Sequence, residues 1–197
     1  MVDDPTEVLI AEDNTELASL YACWLGEQWR VRTVTDGGSA ISAITEATDI
    51  VVLDRNLPGL SGDEVLEQLR ADGYNCQVVI VTAVEPGFDI VEMGFDDYLI
   101  KPVQQATLNR CLERLARRNE YDRELREYYA LVAKKAVLES RKSAGELDES
   151  EEYADLEVAV ERQSNRADAL LDELLAETDE THLFHGLLGN HSSAVSY

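Results

Sequence analysis

Cysteine is scarce in this chain. Cys23, Cys76 and Cys111 are the only three in 197 residues, and none stands at CxxC spacing or beside a histidine. An odd, scattered set argues against a disulfide framework or a structural zinc site, and a reducing cytoplasm is the expected compartment. Long apolar runs are lacking too: none approaches the roughly 18 to 20 residues of a membrane helix. Met1-Val2-Asp3-Asp4-Pro5 carries acids where a secretory leader carries lysines. Lysine itself occurs four times, against 13 arginines, and the 17 bases face 40 acids for a net charge of −23. That balance disfavours adhesion to nucleic acid or anionic lipid. It suits a protein dissolved in molar salt, where a Debye length of about 3 Å screens self-repulsion, so a halophilic origin is expected. Hydrophobic residues make up 45% of the chain, enough for a real core and too many for disorder throughout.

Up to about residue 117, short apolar runs alternate with amphipathic segments. Runs at 8–11, 30–34, 50–53, 78–81 and 98–100 read as strands. The third and fourth are apolar without alternation, which marks parallel strands buried on both faces. Helical patterns lie between them at about 15–28, 38–47, 63–71, 87–93 and 104–117. Such βα alternation predicts an α/β fold, a doubly wound five-stranded parallel sheet whose ligands bind beyond the carboxyl ends of its strands.

Beyond Leu108 the strand signals stop. From Gln104 to Lys142 there is neither glycine nor proline, so the fifth helix is expected to run on for nearly 40 residues. Gly145 should break it, and Asp148-Glu149-Ser150 offers an N-cap for a second helix. That helix carries Tyr153, Leu156, Val160, Gln163, Ala167, Leu170 and Leu174 at alternating spacings of three and four, a heptad seam. The first helix offers Tyr121, Leu125, Tyr128, Val132 and Ala136 as its stripe, with Leu131 and Leu138 beside it. An all-α helical hairpin or coiled coil follows, with net charge +4 over 104–142 and −12 over 143–197, which suits antiparallel pairing. The division expected is 6–118, 119–178 and a flexible tail, 179–197. His182, His185 and His191 fall in that tail, which holds no cysteine, and they are read as unstructured.

The sheet order brings acids together. Glu12 and Asp13 follow the first strand and Asp54 the third, and these strands are neighbours in the expected topology. Converging carboxylates repel, and a hard divalent cation such as Mg²⁺, which takes oxygen ligands octahedrally, resolves the conflict. A carboxylate beside such a metal can form an aspartyl phosphate. Thr82 ends the fourth strand and Lys101 the fifth, adding a hydroxyl and a cation to the same edge. Taken alone, Asp13 could instead cap the first helix.

The stretches Val8-Leu9-Ile10-Ala11-Glu12-Asp13-Asn14, Val51-Val52-Leu53-Asp54-Arg55-Asn56-Leu57-Pro58-Gly59-Leu60-Ser61-Gly62, Val79-Ile80-Val81-Thr82-Ala83 and Asp97-Tyr98-Leu99-Ile100-Lys101-Pro102 together resemble the receiver domains of two-component response regulators, over about 6–118. The resemblance implies a flavodoxin-like sheet and a phosphoryl group accepted on Asp54 from a histidine kinase. Glu12, Asp13, Asp54 and the backbone carbonyl of Asn56 would hold Mg²⁺. Thr82 and Lys101 would meet the phosphoryl group, Tyr98 would be the aromatic that swings inward, and Lys101-Pro102 would be cis. Asn56 and Val84 would border the hydrolysis path. The chain would then be a phospho-accepting switch with self-directed chemistry only, and no enzyme acting on other substrates.

The second half is similar to HalX, a helical domain that follows receivers in haloarchaea, through Ala133-Lys134-Lys135-Ala136-Val137-Leu138-Glu139 and Glu151-Glu152-Tyr153-Ala154-Asp155-Leu156. The resemblance leaves open whether the hairpin forms a homodimer, binds a downstream protein partner or relays a signal. Direct DNA binding is the alternative output, although no helix-turn-helix or clustered basic face is evident. An aspartyl-phosphate phosphatase is a lesser alternative, since Asn56 stands where such enzymes use a second acid. A purely structural interaction protein would lack at least one of the key groups, and all are present. No membrane partner is expected.

Overall fold

The structure is a computed structural model and describes residues 5–178. These divide near Arg117 into two compact units. The first contains β1 (Glu7–Ala11), β2 (Arg30–Val34), β3 (Ile50–Leu53), β4 (Gln77–Thr82) and β5 (Asp97–Ile100), all parallel, in the order β2-β1-β3-β4-β5. Successive strand residues serve opposite faces, as a period of two requires. Val8 and Ile10 pack with Tyr21, Leu25, Leu108 and Leu112 on one face. Leu9 and Ala11 pack with Ala40, Val65, Leu66 and Leu69 on the other. α1 (Thr15–Leu25) and the start of α4 (Gln105–Arg141) thus cover one face, and α2 (Gly37–Ala43) and α3 (Gly62–Ala71) the other.

Each short helix has its own start signal. Asn14 Oδ1 accepts from the amides of Glu16 and Leu17 to cap α1, so capping falls to Asn14 and not to Asp13. Asp36 caps α2, and Ser61 with Glu64 forms a capping box on α3. α1 stops at Leu25, short of residue 28, because Gly26 takes φ 66°, a left-handed conformation that favours glycine. The helix expected at 87–93 is only a 3₁₀ turn, Phe88–Glu92, without a side-chain cap. Five residues are too few to repay helix nucleation without packing, and Phe88 is 97% exposed and Val91 79%.

The second unit comprises the rest of α4, which runs unbroken to Arg141 as expected, α5 (Ala144–Asp148) and α6 (Glu151–Thr178). The chain breaks ahead of Gly145: Ser143 and Glu146 form a capping box on α5, and Gly145 lies inside that helix. Ser150 Oγ accepts from the Tyr153 amide at 3.1 Å at the start of α6. Every expected seam residue of α6, from Tyr153 to Leu174, is buried or half-buried. The stripe expected on α4 needs correction. Ala136 is exposed, and Glu124, 3% exposed, is its most buried residue beyond Arg117. Its partner is Gln163, whose Nε2 donates to the Glu124 carbonyl at 3.2 Å and to its carboxylate. Residues 179–197, with His182, His185 and His191, lie outside the described residues.

Candidate functional site

The site lies at the carboxyl edge of the sheet, where Thr82 ends β4 and a charged residue directly follows each of β1, β3 and β5. Glu12 directly follows β1 and is 2% exposed, Asp13 beside it is exposed, and Asp54 directly follows β3 and is 5% exposed. The pairing of Ala11 with Leu53 places these strand ends side by side, and the Asp54 amide donates to the Ala11 carbonyl at 3.0 Å. One carboxylate oxygen from each of Glu12, Asp13 and Asp54 lies within 4.8 Å of the other two. The structure therefore brings together all three acids expected at the edge.

Lys101 follows β5 and reaches across to this cluster. Its Nζ donates to Glu12 Oε2 and to Asp54 Oδ2, each at 2.6 Å. Burial alone would depress the ammonium, but the hydrogen bonds and charges of Asp54 and Glu12 outweigh it and hold Lys101 above its ordinary value. Burial raises the Glu12 carboxyl above its ordinary value, with Lys101 opposing the shift and Asp54 adding to it. The other Asp54 oxygen, Oδ1, accepts from the Asn56 amide at 3.0 Å. That bond curls the backbone after β3, and Arg55 holds the turn by a bidentate pair with Asp63 of α3 at 2.8 and 2.7 Å. A Cβ at Gly62 would lie 2.1 Å from the Asp54 carbonyl oxygen, so glycine is required for α3 to approach this turn.

Thr82 closes β4 and is fully buried, with Oγ1 accepting from the Val84 amide at 3.4 Å. Tyr98, half-buried in β5, donates its hydroxyl to the Val84 carbonyl at 2.8 Å, and its ring lies 5.6 Å from that of Phe95. The Lys101-Pro102 peptide is cis. Sequence reasoning missed the Arg55–Asp63 clamp and the Tyr98–Val84 bond. A basic residue just after the acceptor-like aspartate could have signalled the first. A backbone carbonyl as partner leaves no side-chain signal for the second.

The donor set fits a small hard cation. It offers three carboxylates and no nitrogen or sulfur ligand, and Glu12 and Asp54 are held by charge-assisted bonds from one cation that bridges them.

Residues 8–113 match the response regulator receiver domain family, and residues 117–184 match the HalX domain. The chain belongs to the response regulator receiver family and carries a HalX domain after its receiver. A Haloferax volcanii protein, named provisionally as a transcriptional regulator, is 38% identical over 189 residues, covering 95% of this chain and 32% of the relative. The DNA-binding response regulator MtrA of Mycolicibacterium smegmatis is 36% identical over 118 residues, 57% of this chain and 51% of the relative. The solved CheY-like receiver domain from Methylobacillus flagellatus is 30% identical with a TM-score of 0.52, covering 57% of this chain and 99% of that one. The chain thus spans between a third and about half of the curated relatives described here. Among the described residues, no helix is long and apolar enough to cross a membrane.

Proposed function

We propose that this chain accepts a phosphoryl group on Asp54 from the phosphohistidine of a partner kinase and uses the resulting state to control its helical hairpin. The observation that carries this reading is Lys101 Nζ at 2.6 Å from both Asp54 and Glu12, within a cluster of three carboxylates. A carboxylate oxygen of Asp54 attacks phosphorus as the bond to the donor's imidazole nitrogen breaks. Phosphoryl transfer asks mainly for position and charge stabilisation. Lys101 holds the Asp54 carboxylate in place before transfer and pairs with the phosphoryl oxygens after it. Glu12, Asp13, Asp54 and the Asn56 carbonyl would hold Mg²⁺, which when bound supplies positive charge to the transferring group. Buried Thr82 presents its hydroxyl from the end of the neighbouring strand. Because Thr82 and Tyr98 both bond to Val84, a shift of the threonine toward the phosphoryl group strains the tyrosine's anchor.

The chain is a self-modifying switch working in the cytoplasm, and its chemistry ends with loss of its own phosphate to water. Transcriptional control is a second reading of the output, favoured by the printed names of the Haloferax and Mycolicibacterium relatives. The test is intact mass after incubation with Mg²⁺ and a small phosphodonor in high KCl. One Mg²⁺-dependent phosphoryl adduct is expected on the wild type and none on Asp54→Asn. A folded wild type that takes no phosphoryl group from either a small donor or a histidine kinase would overturn the reading.

A further inference from the structure

The hairpin is poor in core. Between Arg117 and Thr178, Ala167 at 6% and Leu170 at 9% are the only hydrophobic side chains below one-tenth exposure among the described residues. Its most buried polar residues are Glu124 and Gln163, facing each other, and Lys135 bonds Glu157 across the pair at 2.8 Å. A pair of helices whose apolar seam residues are mostly only half-buried gains little from its own packing, and association is one way in which assemblies of this size gain the remainder.

Its exposed apolar groups are not evenly spread. Leu125, Tyr129, Val132 and Ala136, spaced four, three and four residues apart, form a ridge along α4 beside the seam. Tyr129 is 62% exposed and Leu125 and Val132 half-buried. The pairs Arg166–Glu120 and Arg166–Glu124 occupy the other side of the seam. On the ridge side an open groove of about 640 Å³ is lined by Tyr128 and Lys135 from α4 and by Glu157, Val158, Glu161 and Asn165 from α6. Val158, 64% exposed, stands in this groove. Heptad spacing sets Leu171 and Leu175, 37% and 58% exposed, farther along the same side.

The charges say what fits there. From Arg117 to its end at Arg141, α4 carries seven bases to five acids, and α6 carries nine acids to two bases. Arg126 flanks the apolar ridge and Glu161 lines the groove. Both are exposed, and neither makes an ion pair among the described residues. A ridge of apolar residues edged by a base, next to a groove edged by acids, is self-complementary under a two-fold axis.

We infer that the chain forms a homodimer through its hairpin, the Leu125–Ala136 ridge of each copy seating in the groove between α4 and α6 of the other, with Arg126 meeting Glu161 across the axis. The product is a four-helix bundle in which the half-buried intramolecular seam is covered on one side by apolar contacts between copies. The inference rests on the hairpin alone and stands apart from the chemistry at Asp54.

Sedimentation equilibrium of the full chain in molar KCl, without phosphodonor, tests it. The expected mass is twice the monomer's 22.0 kDa. Tyr129→Glu should weaken self-association by about 30-fold or more, the effect of a central interface anchor, with helicity and phosphoryl uptake unchanged. Arg126→Glu should weaken it less, and adding Glu161→Arg should restore it, which a merely misfolded variant would not do. A wild type that stays monomeric at all concentrations, or a dimer indifferent to Tyr129→Glu, overturns the inference. So does a dimer that appears only when residues 179–197 are removed, which would make that segment the occupant of the face. Failure of phosphoryl uptake in every variant would count against the chemistry at Asp54 and leave the association result intact.

Discussion

At the scale of single residues, Lys101 keeps two nearly buried carboxylates together that would otherwise repel. Removing the ammonium leaves Glu12 and Asp54 facing each other at 2% and 5% exposure. Breaking such an arrangement from one side is costly because the remaining charge has no partner. Lys101→Met should therefore lower unfolding stability by about 3 kcal/mol. Mg²⁺ should recover part of that loss, since a divalent cation replaces the missing positive charge, and thermal melts with and without the metal would show it. These carboxylates were legible in the sequence because each directly follows a strand and the topology makes two of those strands neighbours. Their link through Lys101 was legible only in part: a lysine at a strand end is visible in the sequence, but not which acids it reaches.

Secondary-structure elements bring a different set of forces. The Gln163–Glu124 contact sits where a helix pair normally places leucine, so each partner depends on the other. Gln163→Leu should cost about 1 to 3 kcal/mol, because it strips a donor from a buried carboxylate. Adding Glu124→Leu should recover most of the loss, since apolar replacement of both partners is close to neutral or stabilising. A double-mutant cycle by urea denaturation measures the coupling. The α6 seam could be read from its heptad spacing, yet the α4 side could not. A charged residue in a seam is invisible to a search for apolar stripes, and only the facing glutamine explains it.

The junction between the helices makes a second prediction. Glu146 is held down to about 2 by the Ser143 amide, with Lys142 and the Ser143 hydroxyl adding to the shift. A carboxyl lowered on folding stabilises the protein above its ordinary value of 4.5 and loses that contribution as pH falls through about 2. Glu146→Gln should therefore melt below the wild type at neutral pH. The gap should close as pH is lowered from 4.5 toward 2, followed by the helical circular dichroism signal.

Over the whole molecule, charge dominates. A net charge of −23 on 197 residues sets like charges against one another in any compact state. We expect the thermal midpoint to rise steadily as KCl is raised from millimolar to molar, because a shorter Debye length removes that repulsion. A midpoint indifferent to KCl would show that the acids are already compensated locally. The repulsion is not uniform, since α4 beyond Arg117 is basic while α6 is acidic, so salt should affect the hairpin less than the receiver.

What the sequence determined by itself was whatever depends on local order and period. It placed five strands and the three acids at their ends, the 37 residues of α4 and the heptad seam of α6, since each follows from neighbours a few residues apart. The tertiary structure decided what depends on the arrival of a distant group. Asn14, not Asp13, caps α1, and the segment after β4 tightens into a 3₁₀ turn because no surface receives Phe88 and Val91. Tyr98 is tied to the Val84 carbonyl, and Glu124 is buried because Gln163, 39 residues away, satisfies it. A backbone carbonyl or a single distant amide leaves no periodic trace in the chain, and its effect becomes visible only once the fold has closed the distance.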